Sequence, residues 1–149
     1  MSTAIRIAGL QDLESVVPLF DLYRQFYGRM SDEALAHAFL QERLVRKESV
    51  IFLAEAEGGA VGFAQLYPSF TSVGAARIWI LNDLFVSSGS RHQGIASLLL
   101  ERAAAFAKET GAVRLSLATN VANLAAQALY ERQGWKKDTE FFYYHIAAP

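Results

Sequence analysis

One run of the sequence constrains the fold more than any other: from Ile78 to Lys108 an apolar strand, a short polar loop and an amphipathic helix follow one another. Residues 78–81 and 84–86 are aliphatic or aromatic, which predicts a strand buried on both faces and interrupted at Asn82 and Asp83. Apolar residues at helical spacing predict a helix that begins near Ile95 and ends at Gly111. This unit predicts a sheet with helices packed on it.

The loop inside this run is Arg91-His92-Gln93-Gly94-Ile95-Ala96. A glycine that leads into a helix brings unpaired N–H groups and the positive end of the helix dipole together, an arrangement that binds phosphate. Arg91 adds a fixed positive charge, and His92 and Gln93 add hydrogen-bond donors. The nucleotide signatures G-x-x-x-x-G-K-[ST] and G-x-G-x-x-G are absent, which disfavours a nucleotide-binding domain. By itself the loop could also be an ordinary strand-to-helix connection with a surface arginine.

The rest of the chain predicts one α/β (α+β) domain over residues 1–149, with about seven strands in a mixed sheet flanked by about four helices. Besides the central strand, we expect strands over 4–8, 50–57, 60–68, 113–119, 135–138 and 140–146, with a hairpin at Gly58-Gly59. Besides the central helix, we expect helices over 11–27, from an N-cap at Ser31 to about Lys47, and over 123–133. Pro18 is expected to kink or divide the first of them.

Composition narrows the class of ligand. The 149 residues carry a net charge of -1 and no cysteine, so no disulfide, thiolate metal site or general attraction to nucleic acid is expected. No apolar run approaches the length of a membrane span, and the N-terminus lacks a basic region followed by an apolar core. The three histidines form no cluster with metal-ligand spacing. We therefore expect a cytoplasmic protein that binds a small molecule and no metal.

A second motif, from Asn123 to Trp135, gives the loop a context. Its pattern resembles the Asn-x-x-Ala-x-x-Leu-Tyr-x-x-x-Gly-Phe/Trp signature of the GNAT superfamily of acyl-CoA-dependent N-acetyltransferases. The run from Val86 through Arg91 to Ala96 is similar to the Arg/Gln-x-x-Gly-x-Gly/Ala loop of the same superfamily. Arg6-Ile7-Ala8 and Asp12 are also GNAT-like, so the resemblance covers nearly the whole chain.

The resemblance implies acetyl-CoA as cofactor, with the coenzyme A pyrophosphate held by the loop amides. Tyr130 would stand near the thioester sulfur as general acid, although the pair Leu129-Tyr130 is by spacing also typical of a helix core. Asn123 would hold the coenzyme chain. The residues implied to bind the cofactor are Leu84, Phe85, Val86, Arg91, His92, Gln93, Gly94, Ile95, Ala96, Ser97, Asn123 and Tyr130.

The base that activates the amine is harder to assign. Asn82-Asp83-Leu84-Phe85-Val86 looks like the Glu-Asp-apolar-apolar-Val segment of polyamine acetyltransferases, in which the glutamate is a favoured base, but Asn82 stands in its place. On an ideal strand Asn82 and Asp83 point to opposite faces, and a β-bulge could change which one faces the substrate. Asp83 is our candidate base, acting directly or through water; the alternative is a buried polar residue bonded to loop backbone.

An acceptor pocket is expected from Tyr23, Tyr27, Tyr67 and Asn82, although many aromatic side chains of such a chain belong to the core. The predicted activity is transfer of an acetyl group from acetyl-CoA to a primary amine of a small molecule, such as a polyamine or an amino acid, in a ternary complex. The alternatives are a non-catalytic acyl-CoA-binding or regulatory module and a protein or peptide N-acetyltransferase. The aromatic run over 141–144 predicts core packing or a homodimer contact.

Overall fold

A computed structural model describes residues 2–149, and in them five strands and four α-helices are formed. The strands are Ala4–Ile7 (β1), Val50–Ala56 (β2), Gly59–Thr71 (β3), Ala76–Val86 (β4) and Leu115–Leu117 (β5). The helices are Leu13–Phe26 (α1), Glu33–Val45 (α2), Ile95–Glu109 (α3) and Leu124–Arg132 (α4). Among these residues no helix is both long enough and apolar enough to cross a membrane.

The strands form one mixed sheet, as the sequence predicts, and the structure gives their order as β1-β2-β3-β4-β5. The first four strands pair antiparallel, and β5 pairs parallel to β4 after the crossover through α3. The β2–β3 hairpin turns at Gly58 and Gly59, whose φ angles of 94° and 121° are readily adopted only by glycine. The chain forms two compact units, and the boundary between them lies between Ala118 and Thr119. The first contains the whole sheet and α1 to α3, and the second contains α4.

The two predicted final strands are wrong. Residues 135–149 contain neither helix nor strand, so the sheet has five strands instead of about seven. The side chains of Phe141, Phe142, Tyr143 and Tyr144 are 70 to 90% exposed. Aromatic residues favour strands only where a neighbouring strand supplies hydrogen bonds and packing, and a sequence pattern does not specify that neighbour.

Two helix predictions also need correction. Helix α1 runs continuously through Pro18, which lies in its second turn and is exposed. There proline removes one intrahelical hydrogen bond, to the carbonyl of the exposed Glu14. The N-cap of α2 is Asp32, whose carboxylate accepts the Leu35 amide at 3.0 Å, instead of Ser31.

Ser31 has a different partner, the buried carboxylate of Asp21 in α1. Asp21 is 2% exposed, and its oxygens accept the Ser31 hydroxyl at 2.6 Å, the Gln25 amide at 3.0 Å and the Asp32 backbone amide at 2.8 Å. These bonds lower the pKa of Asp21, the Ser31 bond most of all. The carboxylate thereby fixes the connection between α1 and α2.

A second carboxylate holds the start of the chain. Asp12 accepts two hydrogen bonds from Arg6, at 2.7 and 3.0 Å, and one from the Gly9 amide at 2.8 Å. The Arg6 hydrogen bond is the main reason that the pKa of Asp12 is lowered. Arg6 also bonds Glu55 of β2 at 2.7 Å, so β1 is tied to its neighbour by side chains as well as by backbone.

Helices cover both faces of the sheet in the first unit. Helices α1 and α2 pack on one face through a core that includes Val16, Val17, Leu19, Phe20, Ala36, Leu40, Ile51, Leu53, Phe63 and Phe85. On the other face, Phe106 of α3 lies 5.4 Å from the Phe52 ring and 5.1 Å from the Trp79 ring. The consecutive residues Leu53 and Phe52 thus face opposite helices, as alternation on a strand requires.

Candidate active site

A β-bulge in β4 decides which of its side chains face α1. Across the β3–β4 ladder Gln65 pairs with Asp83, but the next residue of β3, Leu66, pairs with Leu81. Asn82 is therefore an extra residue on β4, with no residue of β3 opposite it. The sequence raised the possibility that a β-bulge changes which polar residue faces inward, and the β3–β4 ladder contains such a bulge.

The extra residue reverses the alternation of side chains along β4. Before the bulge, Trp79 packs against Phe106 on the α3 face. After it, Phe85 belongs to the core shared with α1 and α2, and Asp83 lies two residues before Phe85 on the same face. In an unbroken strand residues 79, 81, 83 and 85 would all share one face. The bulge thus places the Asp83 carboxylate on the α1 face of the strand, the face that Phe85 also occupies.

Asp83 is 4% exposed, and amide groups hold both of its oxygens. Gln65 Nε2 donates to Oδ2 at 2.6 Å, and Asn82 Nδ2 donates to Oδ1 at 3.1 Å. Among the residues that the structure describes, no lysine or arginine forms an ion pair with this carboxylate. Asp83 is therefore a buried acid that lacks a cationic partner within the described chain.

Burial raises the pKa of the Asp83 carboxyl, because water stabilises the charged form far better than the protein interior does. The hydrogen bonds from the Gln65 and Asn82 amides favour the charged form and oppose the shift. A carboxylate whose pKa lies above its ordinary value is a stronger proton acceptor. Perturbed acids of this kind are common at catalytic sites, although structural networks also produce them.

Two tyrosines share the surroundings of Asp83. The Tyr23 hydroxyl of α1 donates to the Asn82 backbone carbonyl at 3.4 Å, and the Tyr23 ring lies 5.8 Å from Phe63. Burial, followed by the Asp83 charge, raises the pKa of Tyr23 well above its usual value, and the same causes raise that of Tyr67 to about 12. Both phenols therefore stay protonated at neutral pH and can act only as neutral donors or acceptors.

Three of the four predicted acceptor residues, Tyr23, Tyr67 and Asn82, thus lie around Asp83. The fourth, Tyr27, is 58% exposed at the end of α1, with its ring 5.1 Å from that of Tyr23. The aromatic rings also contact the apolar core, so the alternative core role applies to Tyr23 at the same time. Binding of an acceptor by these residues stays a prediction.

The predicted phosphate loop has the geometry of a helix N-terminus. A short 3-10 turn at Ser88–Ser90 follows β4, and Gly94 is the N-cap of α3 with φ of 77°. The first intrahelical bond runs from the Leu98 amide to the Gly94 carbonyl at 3.1 Å, so the Ile95 and Ala96 amides precede the helical ladder. No atom of another element lies within 4 Å of the place where a Gly94 side chain would stand. His92 also has positive φ, 64°, which is unusual for a residue with a side chain.

Arg91 lies in the loop and also contacts residues of β4 and α1. Its Nε donates to the Val86 carbonyl at 3.0 Å, and its guanidinium lies 5.9 Å from the Phe26 ring and 5.7 Å from the Phe85 ring. The end of β4 and the end of α1 are thus connected through one arginine. Of the predicted cofactor residues on β4, Phe85 is buried in the core, whereas Leu84 and Val86 are half-buried. The exposed Gln93 and the half-buried Ser97 lie on the loop and in the first turn of α3.

Asn123 and Tyr130 belong to the second unit, in and before α4. Asn123 is the N-cap of that helix, and its Oδ1 accepts the Ala126 amide at 3.1 Å. The Tyr130 ring lies 6.1 Å from the Trp135 ring, and the Trp135 amide donates to the Tyr130 carbonyl at 3.1 Å. The motif read from the sequence therefore forms one helix with its following turn, and the catalytic role of Tyr130 stays a prediction.

The sequence interpretation missed Gln65, the closest hydrogen-bond partner of Asp83. The sequence contained a signal for it, because Gln65 is a polar residue flanked on the strand by the apolar residues Phe63, Ala64 and Leu66. Such a residue, when buried, requires a polar partner. Among the described residues no group of three His, Cys, Asp or Glu side chains could hold a metal ion.

Comparison with known proteins shows the family. Residues 16–135 match the Acetyltransferase (GNAT) family. The chain belongs to this family. It is 46% identical over 145 residues to the uncharacterized N-acetyltransferase YhfO of Bacillus subtilis, which covers 97% of each chain. A crystal structure of a probable acetyltransferase, 44% identical, superposes with a TM-score of 0.93 over 98% of each chain.

A more distant GNAT structure shares the fold alone. The aminoglycoside N-acetyltransferase AAC(6')-Iy, solved in complex with CoA, is 19% identical and superposes with a TM-score of 0.82 over 99% of this chain and 96% of its own. The resemblance in sequence to the GNAT superfamily and the predicted α/β class are thereby confirmed. The protein is an acetyltransferase of the GNAT type, and the enzyme class predicted from the two motifs is correct.

Proposed function

We propose that this GNAT protein transfers an acetyl group from acetyl-CoA to a primary amine of a small molecule, such as a polyamine or an amino acid. The observation that carries the proposal is Asp83, a buried carboxylate that no cation of the described chain neutralises and that a β-bulge turns toward tyrosines. An ammonium group is a suitable counter-ion for such a site, and the aromatic faces nearby add a weaker attraction for a cation.

The loop from Arg91 to Ser97 fits the coenzyme. The Ile95 and Ala96 amides at the start of α3 suit the pyrophosphate, and the open space in front of Gly94 admits it. Arg91 contributes a positive charge, and Asn123 is proposed to hold the coenzyme chain. When bound, acetyl-CoA supplies the activated acyl thioester.

The reaction requires the protein to accept one proton from the amine and to donate one proton to the departing thiolate. An amine with a pKa near about 10.4 is an ammonium at neutral pH, and removing its proton takes roughly 4 to 5 kcal/mol. We assign this proton to Asp83, directly or through water, after which the nitrogen attacks the acyl carbon. As the C–N bond forms and the C–S bond breaks, Tyr130 donates its phenolic proton to the departing thiolate, and the second proton of the nitrogen passes through water to the tyrosinate; the first proton leaves Asp83 for solvent. The products are the acetamide and free coenzyme A.

Thiol release from acetyl-CoA across a panel of polyamines, amino acids, aminoglycosides and peptides tests the proposal. Turnover with small amines supports it, whereas turnover with peptides alone would assign the acceptor to proteins. Binding of acetyl-CoA without turnover on any amine would leave a non-catalytic module. With the best acceptor, Tyr130→Phe is expected to lower kcat by about a hundredfold to ten-thousandfold without abolishing it. An unchanged kcat would remove Tyr130 from the mechanism.

A homodimer is the second part of the proposal. The aromatic run over 141–144 exposes four large rings, and monomeric proteins seldom leave contiguous apolar surface of this kind uncovered. Light scattering on a size-exclusion column measures the mass, and Phe142→Glu with Tyr144→Glu should convert a dimer to a monomer. A wild-type monomer over the micromolar range would overturn this part.

We place the protein in the cytoplasm, which cell fractionation tests.

A further inference from the structure

The residue opposite Asp83 in the sheet is a glutamine with no exposed surface. Gln65 lies in β3, pairs with Asp83 across the ladder and shares its face of the sheet. Its Nε2 donates to Asp83 Oδ2 at 2.6 Å, a short distance for a bond between an amide and a carboxylate. The pair lies beneath α1, whose Tyr23 hydroxyl reaches the Asn82 carbonyl beside it.

Packing alone does not explain a glutamine at this position. The neighbouring residues on β3 are Phe63, Ala64 and Leu66, and all three are fully buried. Gln65 Oε1 is buried without a hydrogen-bond partner, so only one of the two polar atoms of the amide, Nε2, is paired. An aliphatic side chain of similar volume would bury no polar atom of its own but would leave Asp83 Oδ2 without this donor, so the bond to Asp83 is the feature that requires an amide.

The two amides around Asp83 differ in how firmly they are held. Asn82 is exposed on the bulge, whereas Gln65 is enclosed in the sheet. Gln65 is therefore the more firmly held of the two donors to the Asp83 carboxylate. Asn82 Nδ2 donates the second hydrogen bond, to Oδ1 at 3.1 Å. Each carboxylate oxygen can accept more than one hydrogen bond, so this arrangement leaves both oxygens able to accept a proton from an amine.

We infer that Gln65 is a positioning residue, which holds the Asp83 carboxylate in the orientation that receives the proton of the acceptor amine. The inference rests on the proposed function, because it assigns Gln65 a role through the proposed base. Gln65 acts through Asp83 and makes no contact with the reacting atoms.

The effect is measurable as a change in the pH profile. Titratable groups facing Asp83 are Tyr23 of α1 and Tyr67 of β3; Tyr27 acts on Tyr23, and Arg43 of α2 acts on Tyr67. Both tyrosines have raised pKa values and stay neutral between pH 5 and 9. Of the groups in these surroundings, Asp83 is therefore the one whose titration we expect to produce the acid limb of the pH profile. Loss of the Gln65 hydrogen bond removes support from its charged form and raises its pKa.

The test compares Gln65→Met, which keeps the volume and removes the donor, with wild type and with Gln25→Met. Gln25 donates a similar amide bond to Asp21 at 3.0 Å, outside the site. For Gln65→Met the acid limb of kcat/KM should move to higher pH by about one unit, with kcat lowered about tenfold or more at pH 7. The KM for acetyl-CoA should not change. Gln25→Met should leave the limb in place.

Gln65→Glu provides a second variant if the methionine protein does not fold. Its carboxyl next to Asp83 would share a proton with it, so the acid limb should move further than in Gln65→Met. If wild type turns over and the limb stays in place in both Gln65 variants, Gln65 is structural and the inference is wrong, while the proposed function stands.

If wild type acetylates no amine, the proposed function fails, and Gln65 is then judged by the carboxyl carbon NMR signal of Asp83. That signal should titrate at higher pH in Gln65→Met than in wild type; equal titration in the two proteins would overturn the inference.

Discussion

At the scale of single residues, Asp83 is the clearest point at which chemistry and packing conflict. A carboxylate that is 4% exposed and lacks an ion-pair partner in the described chain lowers the stability of the fold. It is retained in a strand in which its neighbours Leu81 and Phe85 are buried apolar residues. Residues that oppose the local pattern in this way are expected at functional sites.

Asp83→Asn tests this conflict directly. Asparagine keeps the shape and accepts the Gln65 bond but takes no proton, so kcat/KM should fall by about a hundredfold to ten-thousandfold at pH 7. Thermal denaturation should show an unchanged or higher midpoint, because a buried charge has been removed. Steady-state assays beside the exposed Asp138→Asn provide the control. Unaltered turnover in Asp83→Asn would exclude Asp83 as the base.

At the scale of elements, the N-terminus of α3 and the bulge in β4 set the geometry of the site. Each depends on backbone conformation more than on side-chain identity. Gly94 supplies a positive φ at the start of α3, and Gly111, with φ of 75°, supplies one just past its end. Both have open space where a side chain would stand.

These two glycines give a matched pair of substitutions. Alanine at either position should lower the free energy of unfolding by about 1 to 2 kcal/mol, because a Cβ disfavours positive φ. Only Gly94→Ala should also weaken coenzyme A binding, by about tenfold or more, because its methyl group stands where the phosphate approaches. Calorimetric titration and thermal denaturation of both variants measure the two effects. Equal coenzyme affinity in Gly94→Ala and Gly111→Ala would contradict the phosphate assignment.

The bulge makes a different prediction. Inserting an alanine between Gln65 and Leu66 gives Asn82 a partner and restores an unbroken ladder, so either Trp79 and Leu81 or Asp83 and Phe85 must turn to the wrong face. The insertion should remove more than about 4 kcal/mol of stability, a large part of the roughly 5 to 15 kcal/mol that a domain has. Asn82→Ala keeps the extra residue and should lose only about 1 kcal/mol. Urea denaturation compares the two, and similar midpoints would show that the bulge is dispensable.

At the scale of the whole molecule, the acidic groups act on stability in opposite directions. The pKa values of Asp12 and Asp21 are lowered in the folded state, the first mainly by the Arg6 bond and the second mainly by the Ser31 bond. Their stabilisation is present above the unfolded pKa of about 3.9 and disappears as pH falls through the folded values. The raised pKa of Asp83 has the reverse sign: its contribution is present at low pH and disappears as pH rises through the folded value.

We therefore expect stability to increase slightly as pH falls from 7 through the folded pKa of Asp83, and to decrease steeply below about pH 4. Urea midpoints measured at successive pH values check both parts. Asp21→Asn should flatten the acid side and Asp83→Asn the neutral side. An acid side of unchanged slope in Asp21→Asn would show that its hydrogen bonds to Ser31 and Asp32 contribute little.

The sequence predicted the elements well wherever periodicity was long. The central strand, the helix after Gly94, the hairpin at Gly58-Gly59 and a strand within 113–119 are all found in the structure. The failures lie where an element depends on a partner outside its own stretch. Residues 135–146 have strand-like composition and form no strand, and Ser31 bonds Asp21 instead of capping α2.

The sequence by itself determined the family and the class of reaction and located the loop that is proposed to hold phosphate, because these depend on residue types at fixed spacing along a continuous chain. Only the tertiary structure decided which side Asp83 faces and that Gln65 holds it. The orientation of Asp83 follows from the pairing register between β3 and β4. One extra residue in β4 reverses which face of the sheet the following side chains occupy. The partnership joins residues 18 positions apart, which no local pattern relates.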